Sequence, residues 1–183
     1  MSVEPPLYTE IVGFWRDAGA KRWFAHDQAF DTEIRSRFEA VHMAASRGDY
    51  ADWVEIAEGA LALLILLDQF PRNLYRGSAH AFATDSAARA VARNAVERGH
   101  DRTIPPPLRL FFYMPFEHSE DPADQTRAVE LITAAGDEGY TRFALLHRDL
   151  MARFSRFPHR NACLGRASTD EELAYLASGG FAG

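Results

Sequence analysis

The chain has 183 residues, enough to bury a sizeable core, and 47% of them are hydrophobic, which excludes a disordered chain. Its net charge of −6 speaks against nucleic acid as the main partner, because such partners demand a basic face. A lone cysteine, Cys163, permits no internal disulfide and fits a reducing, cytoplasmic location.

Disorder is expected only in the first few residues and in the "SGGFAG" tail. The opening "MSVEPPLYTE" has neither a basic region nor an apolar stretch, so no signal peptide is expected. Strand-like alternation is almost absent, whereas helical spacing recurs throughout. Residues 7–18 place Leu7, Ile11, Phe14 and Trp15 on one face. Residues 27–46 do the same with Phe30, Ile34, Phe38, Val41 and Met43, and Gly48 breaks the pattern. A third helix is predicted from Asp52 to Gln69. Its apolar run from Ala60 to Leu67 is too short to span a bilayer and reads as a central, covered helix. Pro71 is expected to stop it.

A fourth helix is predicted over 84–98, started by Thr84 or Asp85 and followed by Gly99. A fifth covers 106–113, with proline in its first turn. The sixth runs over 120–135 from Ser119. The seventh runs over 138–156 with Tyr140, Phe143, Leu146, Leu150 and Phe154 facing inward. An eighth opens at "STDEE", where Ser168 and Glu171 have capping-box spacing and Leu173 and Leu176 follow. The expectation is one all-α domain, residues 1–183, of about eight helices in antiparallel pairs.

In such an array alternate helices point the same way, so the third, fifth and seventh end on one side. Their terminal turns hold Asp68, Gln69, Arg72, Asn73 and Arg76; Tyr113, Glu117, His118, Ser119, Glu120 and Asp121; and His159, Arg160, Asn161 and Arg166. His147 lies two to three turns earlier in the seventh helix. The first and last turns echo one another as "QFPRNLYRG" and "RFPHRNACLGR". The turns admit several readings. In one, the arginines satisfy helix carbonyls and pair with the acids in a structural lattice. In another, Arg72, Arg76 and Arg160 clamp a small anion while His118 or His159 handles protons. A metal set built on Glu117, His118, Glu120 and Asp121 with His147 or His159 lacks any fixed ligand spacing. A Cys163–His159 pair is set against a small buried apolar Cys163. Trp15, Trp23 and Trp53 read as packing residues.

The stretches "LALLILLDQFPRN", "AFATD", "FFYMPFEHSEDPADQ" and "RFPHRNACLGR" followed by the capping box resemble, in order, the bacterial DUF 924 family of unknown function. The resemblance runs from "FWRDAGAKRWF" to the last helix. It implies an all-helical, tetratricopeptide-like arrangement and falls on the same turn residues. It also implies that aliphatic residues are accepted at the position of Cys163.

The expected function is a soluble helical protein that binds or acts on a small anionic ligand. Its ligand set is Arg72, Asn73, Arg76, Tyr113, His118, Glu120, His159, Arg160 and Asn161, with His118, His159 and Asp68 as candidate proton-handling groups. No cofactor, metal, nucleic acid or membrane enters this reading. The alternative is a peptide- or protein-binding module, as helical arrays often are, whose polar cluster is purely structural.

Overall fold

The computed structural model describes residues 6–182, and among these every regular element is helical. The first five residues, expected to be disordered, lie outside the described range. Contacts group the chain into two compact units. The first runs to Arg76 and resumes over His80–Pro115; the second holds Gly77–Ala79 and the chain from Phe116 onward.

In the first unit, α1 (Leu7–Ala18) buries Ile11, Val12 and Trp15, and α2 (Ala20–Trp23) buries Trp23. The Trp23 indole N–H donates to the Trp15 carbonyl at 2.6 Å. α3 (Gln28–Ser46) starts at Asp27, whose carboxylate accepts from the Phe30 N–H. Its buried line is Phe30, Ile34, Phe38 and His42, a strict four-residue step. Met43, expected inside, is therefore outside and 46% exposed. Trp15 stacks with Trp23 and Phe30, and Trp23 meets Phe111 edge-on, all as core rings.

α4 (Ala57–Leu64) is central, and every residue from Ala60 to Leu67 is buried. Gly59 is required where α4 passes the preceding turn, since a Cβ there would lie 2.4 Å from the Trp53 carbonyl oxygen. The helix does not stop at Pro71. It widens into a π-turn over Ile65–Gln69, in which the Phe70 N–H reaches the Ile65 carbonyl, and continues as α5 (Phe70–Leu74). The wider turn takes up the proline that would otherwise clash with the carbonyl four residues back.

α6 (Asp85–Glu97) and α7 (His100–Thr103) follow. Thr84 precedes α6 but does not cap it, because its hydroxyl is engaged elsewhere. The expected helix over 106–113 is only a 3-10 turn, Leu108–Phe112, since Pro105, Pro106 and Pro107 supply no N–H donors.

α8 (Met114–Glu117) carries the chain into the second unit. There α9 (Pro122–Ala135) is capped by Asp121 and not by Ser119. α10 (Glu138–Phe154) is capped by Asp137 and packs along α9 across the Gly136 turn. Its buried line is Ala144, His147, Leu150 and Met151, so Phe143 and Leu146 face outward, contrary to expectation. α11 (Asp170–Ala177) has its capping box one residue later than predicted, on Thr169 and Glu172. Ser168 instead accepts from Asn161, and Leu173 is exposed. The tail is not loose: Phe181 packs on the cluster of Leu150, Met151 and Phe157.

Candidate functional site

Within the first unit, the polar end of the central helix closes on its own chain. The π-turn takes the Phe70 N–H away from the Leu66 carbonyl, and Pro71 has no N–H for the Leu67 carbonyl. His42 Nδ1 contacts the Leu66 oxygen at 2.8 Å, and since a carbonyl only accepts, that nitrogen carries the proton. Thr84 Oγ1 donates to the Leu67 oxygen at 2.6 Å, and Arg72 donates to the Asp68 oxygen at 2.6 Å. Arg72 also forks onto both Asp85 oxygens at 3.0 and 3.2 Å and approaches Asp68 at 3.1 Å. The Gln69 amide donates to the Asp68 carboxylate. Arg76 forks onto Asp31, which Asn73 shares at 2.7 Å. Tyr113 donates to Asp101 at 2.8 Å; burial, then that carboxylate, pushes its phenol well above the ordinary range.

In the second unit, a different arrangement surrounds His147. Glu117 and His147 are both buried, with Glu117 Oε1 2.7 Å from His147 Nδ1. The angle of that contact falls outside hydrogen-bond geometry, and His147 Nε2 is buried with no hydrogen-bond partner. The His147 ring is wedged edge-on against Phe157 at 5.3 Å and Phe181 at 4.6 Å, and the His118 ring lies 6.5 Å away. His159 meets the same two phenylalanines at 5.6 and 5.2 Å, and its Nδ1 is likewise buried and unpartnered. Burial, aided by Arg160, His147 and His118, pushes the His159 imidazole down to about 3, so it is neutral at physiological pH. Arg160 lies 4.3 Å over the Phe157 ring and donates to the His118 carbonyl.

A structural frame holds these groups. Arg166 forks onto Glu120 at 2.7 and 3.0 Å, and Glu120 also accepts from the Phe157 N–H. Burial opposes charging Glu120, but Arg166 and that N–H together keep its carboxyl below the ordinary range. Arg156 forks onto buried Glu172, which Asn161 also contacts at 3.2 Å. The two echoing Phe-Pro turns each send an Arg and an Asn onto carboxylates of their own unit.

Of the expected residues, His118, Glu120, His159, Arg160 and Asn161 belong to the second unit, and Asp68, Arg72, Asn73, Arg76 and Tyr113 to the first. The prominent members of the imidazole cluster that the expected ligand set lacks are Glu117, His147 and Phe181. His147 was marked by its place on an otherwise apolar line of α10; nothing in the sequence marked Phe181. Cys163 is half-buried, and its thiol donates to the Arg160 carbonyl at 3.2 Å. Among the described residues no three His, Cys, Asp or Glu side chains are grouped to hold a metal ion, and no helix is long and apolar enough to cross a membrane.

The model of a family described as "Bacterial protein of unknown function (DUF924)" matches residues 11–180. The chain is also similar to a solved structure, a protein of unknown function, ATU0120, from Agrobacterium tumefaciens. The two share 49% identity over 94% of this chain and 97% of that one, with a TM-score of 0.91. No curated protein matches.

Proposed function

This chain belongs to the DUF924 family of bacterial proteins, and we propose that it binds a small anion, a carboxylate or phosphate, at the imidazole cluster of the second unit, where Glu117 and His147 handle its proton. One observation carries the reading. His147 is buried between two phenylalanines with a carboxylate at one nitrogen and no hydrogen-bond partner at the other. A buried polar atom left unpaired costs about 1–3 kcal/mol, so its retention fits a group kept for a ligand. A carboxylate beside one imidazole nitrogen fixes the ring's orientation, an arrangement used in general acid–base catalysis. Arg160 and His118 supply positive and donor character close by. The net charge of −6 speaks against nucleic acid as the partner. A single half-buried cysteine supports a reducing, cytoplasmic setting.

The test is an NMR titration of the imidazole side chains with acetate and with inorganic phosphate. Saturable shifts at His147 and His159, lost in His147→Asn, are the expected result. Shifts that do not saturate, or that persist in the variant, overturn the reading. The alternative of a protein-binding module has one observation behind it: Phe143 and Leu146 lie three residues apart on α10, exposed to 55% and 36%.

A further inference from the structure

We propose that the segment Gly179–Phe181 is a strap whose Phe181 ring plugs the imidazole site, and that the ligand displacing it is an anion carrying an aromatic ring. The inference rests on the proposed anion site and adds to it both a gate and a ligand class. Phe181 lies beyond α11, outside any helix, yet its ring touches both imidazoles that carry an unpartnered nitrogen. It meets His147 at 4.6 Å and His159 at 5.2 Å, edge-on to each at 71° and 80°.

The strap's route into the site is specific. Gly179 has φ +83°, a conformation that side chains rarely adopt. A Cβ on Gly180 would lie 2.5 Å from the Tyr175 ring, so only glycine lets the chain pass there. The Phe181 N–H then donates to the Tyr175 hydroxyl at 2.9 Å, and the Gly180 N–H to the Tyr175 carbonyl at 3.1 Å. The ring is half-buried and the strap lies outside any helix, which makes this segment cheaper to open than a core residue such as Phe157. When the ring leaves, it vacates a space the size of one aromatic ring beside His147, His159 and the core cluster of Leu150, Met151 and Phe157. An aryl carboxylate restores those ring contacts and offers an acceptor to an imidazole N–H.

The experiment follows carbethoxylation of individual histidines by diethyl pyrocarbonate, read by peptide mass spectrometry, with exposed His26 as the internal reference. Phe181→Ala should raise the modification rates of His147 and His159 about tenfold relative to His26, corresponding to about 1.4 kcal/mol of opening. Gly180→Ala, which keeps the ring but blocks the strap's path, should raise them in the same direction. Unchanged rates in both variants overturn the plug. In Phe181→Ala, benzoate should protect the two histidines at far lower concentration than acetate; equal protection overturns the aromatic ligand class. If the rates rise but neither benzoate nor phosphate protects in any variant, the plug stands and the anion site itself fails.

Discussion

The Thr84 hydroxyl donates to the Leu67 carbonyl at 2.6 Å, the carbonyl that Pro71 leaves without a helical partner. With the π-turn before it, this bond helps a central apolar helix to carry a proline and still run on for a further turn. The freed carbonyls of Leu66 and Leu67 receive side-chain donors from His42 and Thr84, and the Arg72 guanidinium donates to the Asp68 carbonyl beside them. Thr84→Val keeps the shape and removes the donor, leaving a buried carbonyl unpaired. We expect a loss of about 1–3 kcal/mol in denaturant unfolding, restored by Thr84→Ser. Equal stability of Thr84→Val and the parent chain would show that the carbonyl finds another donor.

Arg72 and Arg76 separate a buried lattice from a surface pair. Arg72 serves Asp68, which is 1% exposed, and Asp85. Arg72→Ala takes the cation away from those carboxylates, and the expected cost is about 3–5 kcal/mol. Arg76 and Asp31 are more open, at 31% and 17%, and Arg76→Ala should cost about 1 kcal/mol or less. Unfolding curves that put the two variants in the reverse order contradict the structural role of Arg72.

The last helix gives a register test. The reciprocal cap joins Thr169 Oγ1 to the Glu172 N–H at 3.2 Å and Glu172 Oε2 to the Thr169 N–H at 2.7 Å. Thr169→Ala should weaken α11 by about 1 kcal/mol and raise amide exchange over 170–173. Ser168→Ala loses only the bond to Asn161 and should leave that exchange unaltered. Faster exchange in the Ser168 variant alone would restore the register expected from the sequence.

The all-helical class and the buried stretch from Ala60 to Leu67 were legible because hydrophobic periodicity reports burial directly. Finer features were not. "STDEE" offers two cap registers one residue apart, and the choice of Thr169 rests on Arg156 and Asn161 converging on Glu172 from other parts of the chain. Pro71 signals a helix stop by local rules, whereas Thr84 and His42, distant in sequence, let the helix continue. On α10, Phe143 and Leu146 looked like core, yet they face outward, while His147 is buried with a carboxylate from α8 and a ring from the tail against it. Polar residues of the terminal turns were visible as a group; which acid serves which arginine is a tertiary fact that spacing does not encode.

Among the depressed groups, His159 and Glu172 carry the largest shifts and set how stability depends on pH. His159 titrates near 3 in the folded chain, against an ordinary 6.5, because burial and then Arg160 penalise the imidazolium. The unfolded chain therefore binds a proton near pH 6.5 that the folded chain refuses until about 3. Stability is complete above 6.5 and drains away as the pH falls from 6.5 towards 3. Glu172 adds a second, lower window. The Arg156 fork, with the Thr169 N–H and Asn161, holds its carboxyl down to about 2 from an ordinary 4.5, so its contribution is present above 4.5 and is lost between 4.5 and 2. Thermal melts of the parent chain should show Tm declining from neutral pH downward in two stages. In His159→Gln the first stage, between 6.5 and 4.5, should flatten, while the second remains because Glu172 is untouched. A variant whose Tm falls as steeply as the parent's over the upper window would mean that His159 is not held neutral. A Tm that rises on acidification from pH 7 to 5 would mean that the cluster gains protons on folding, the opposite of the arrangement described.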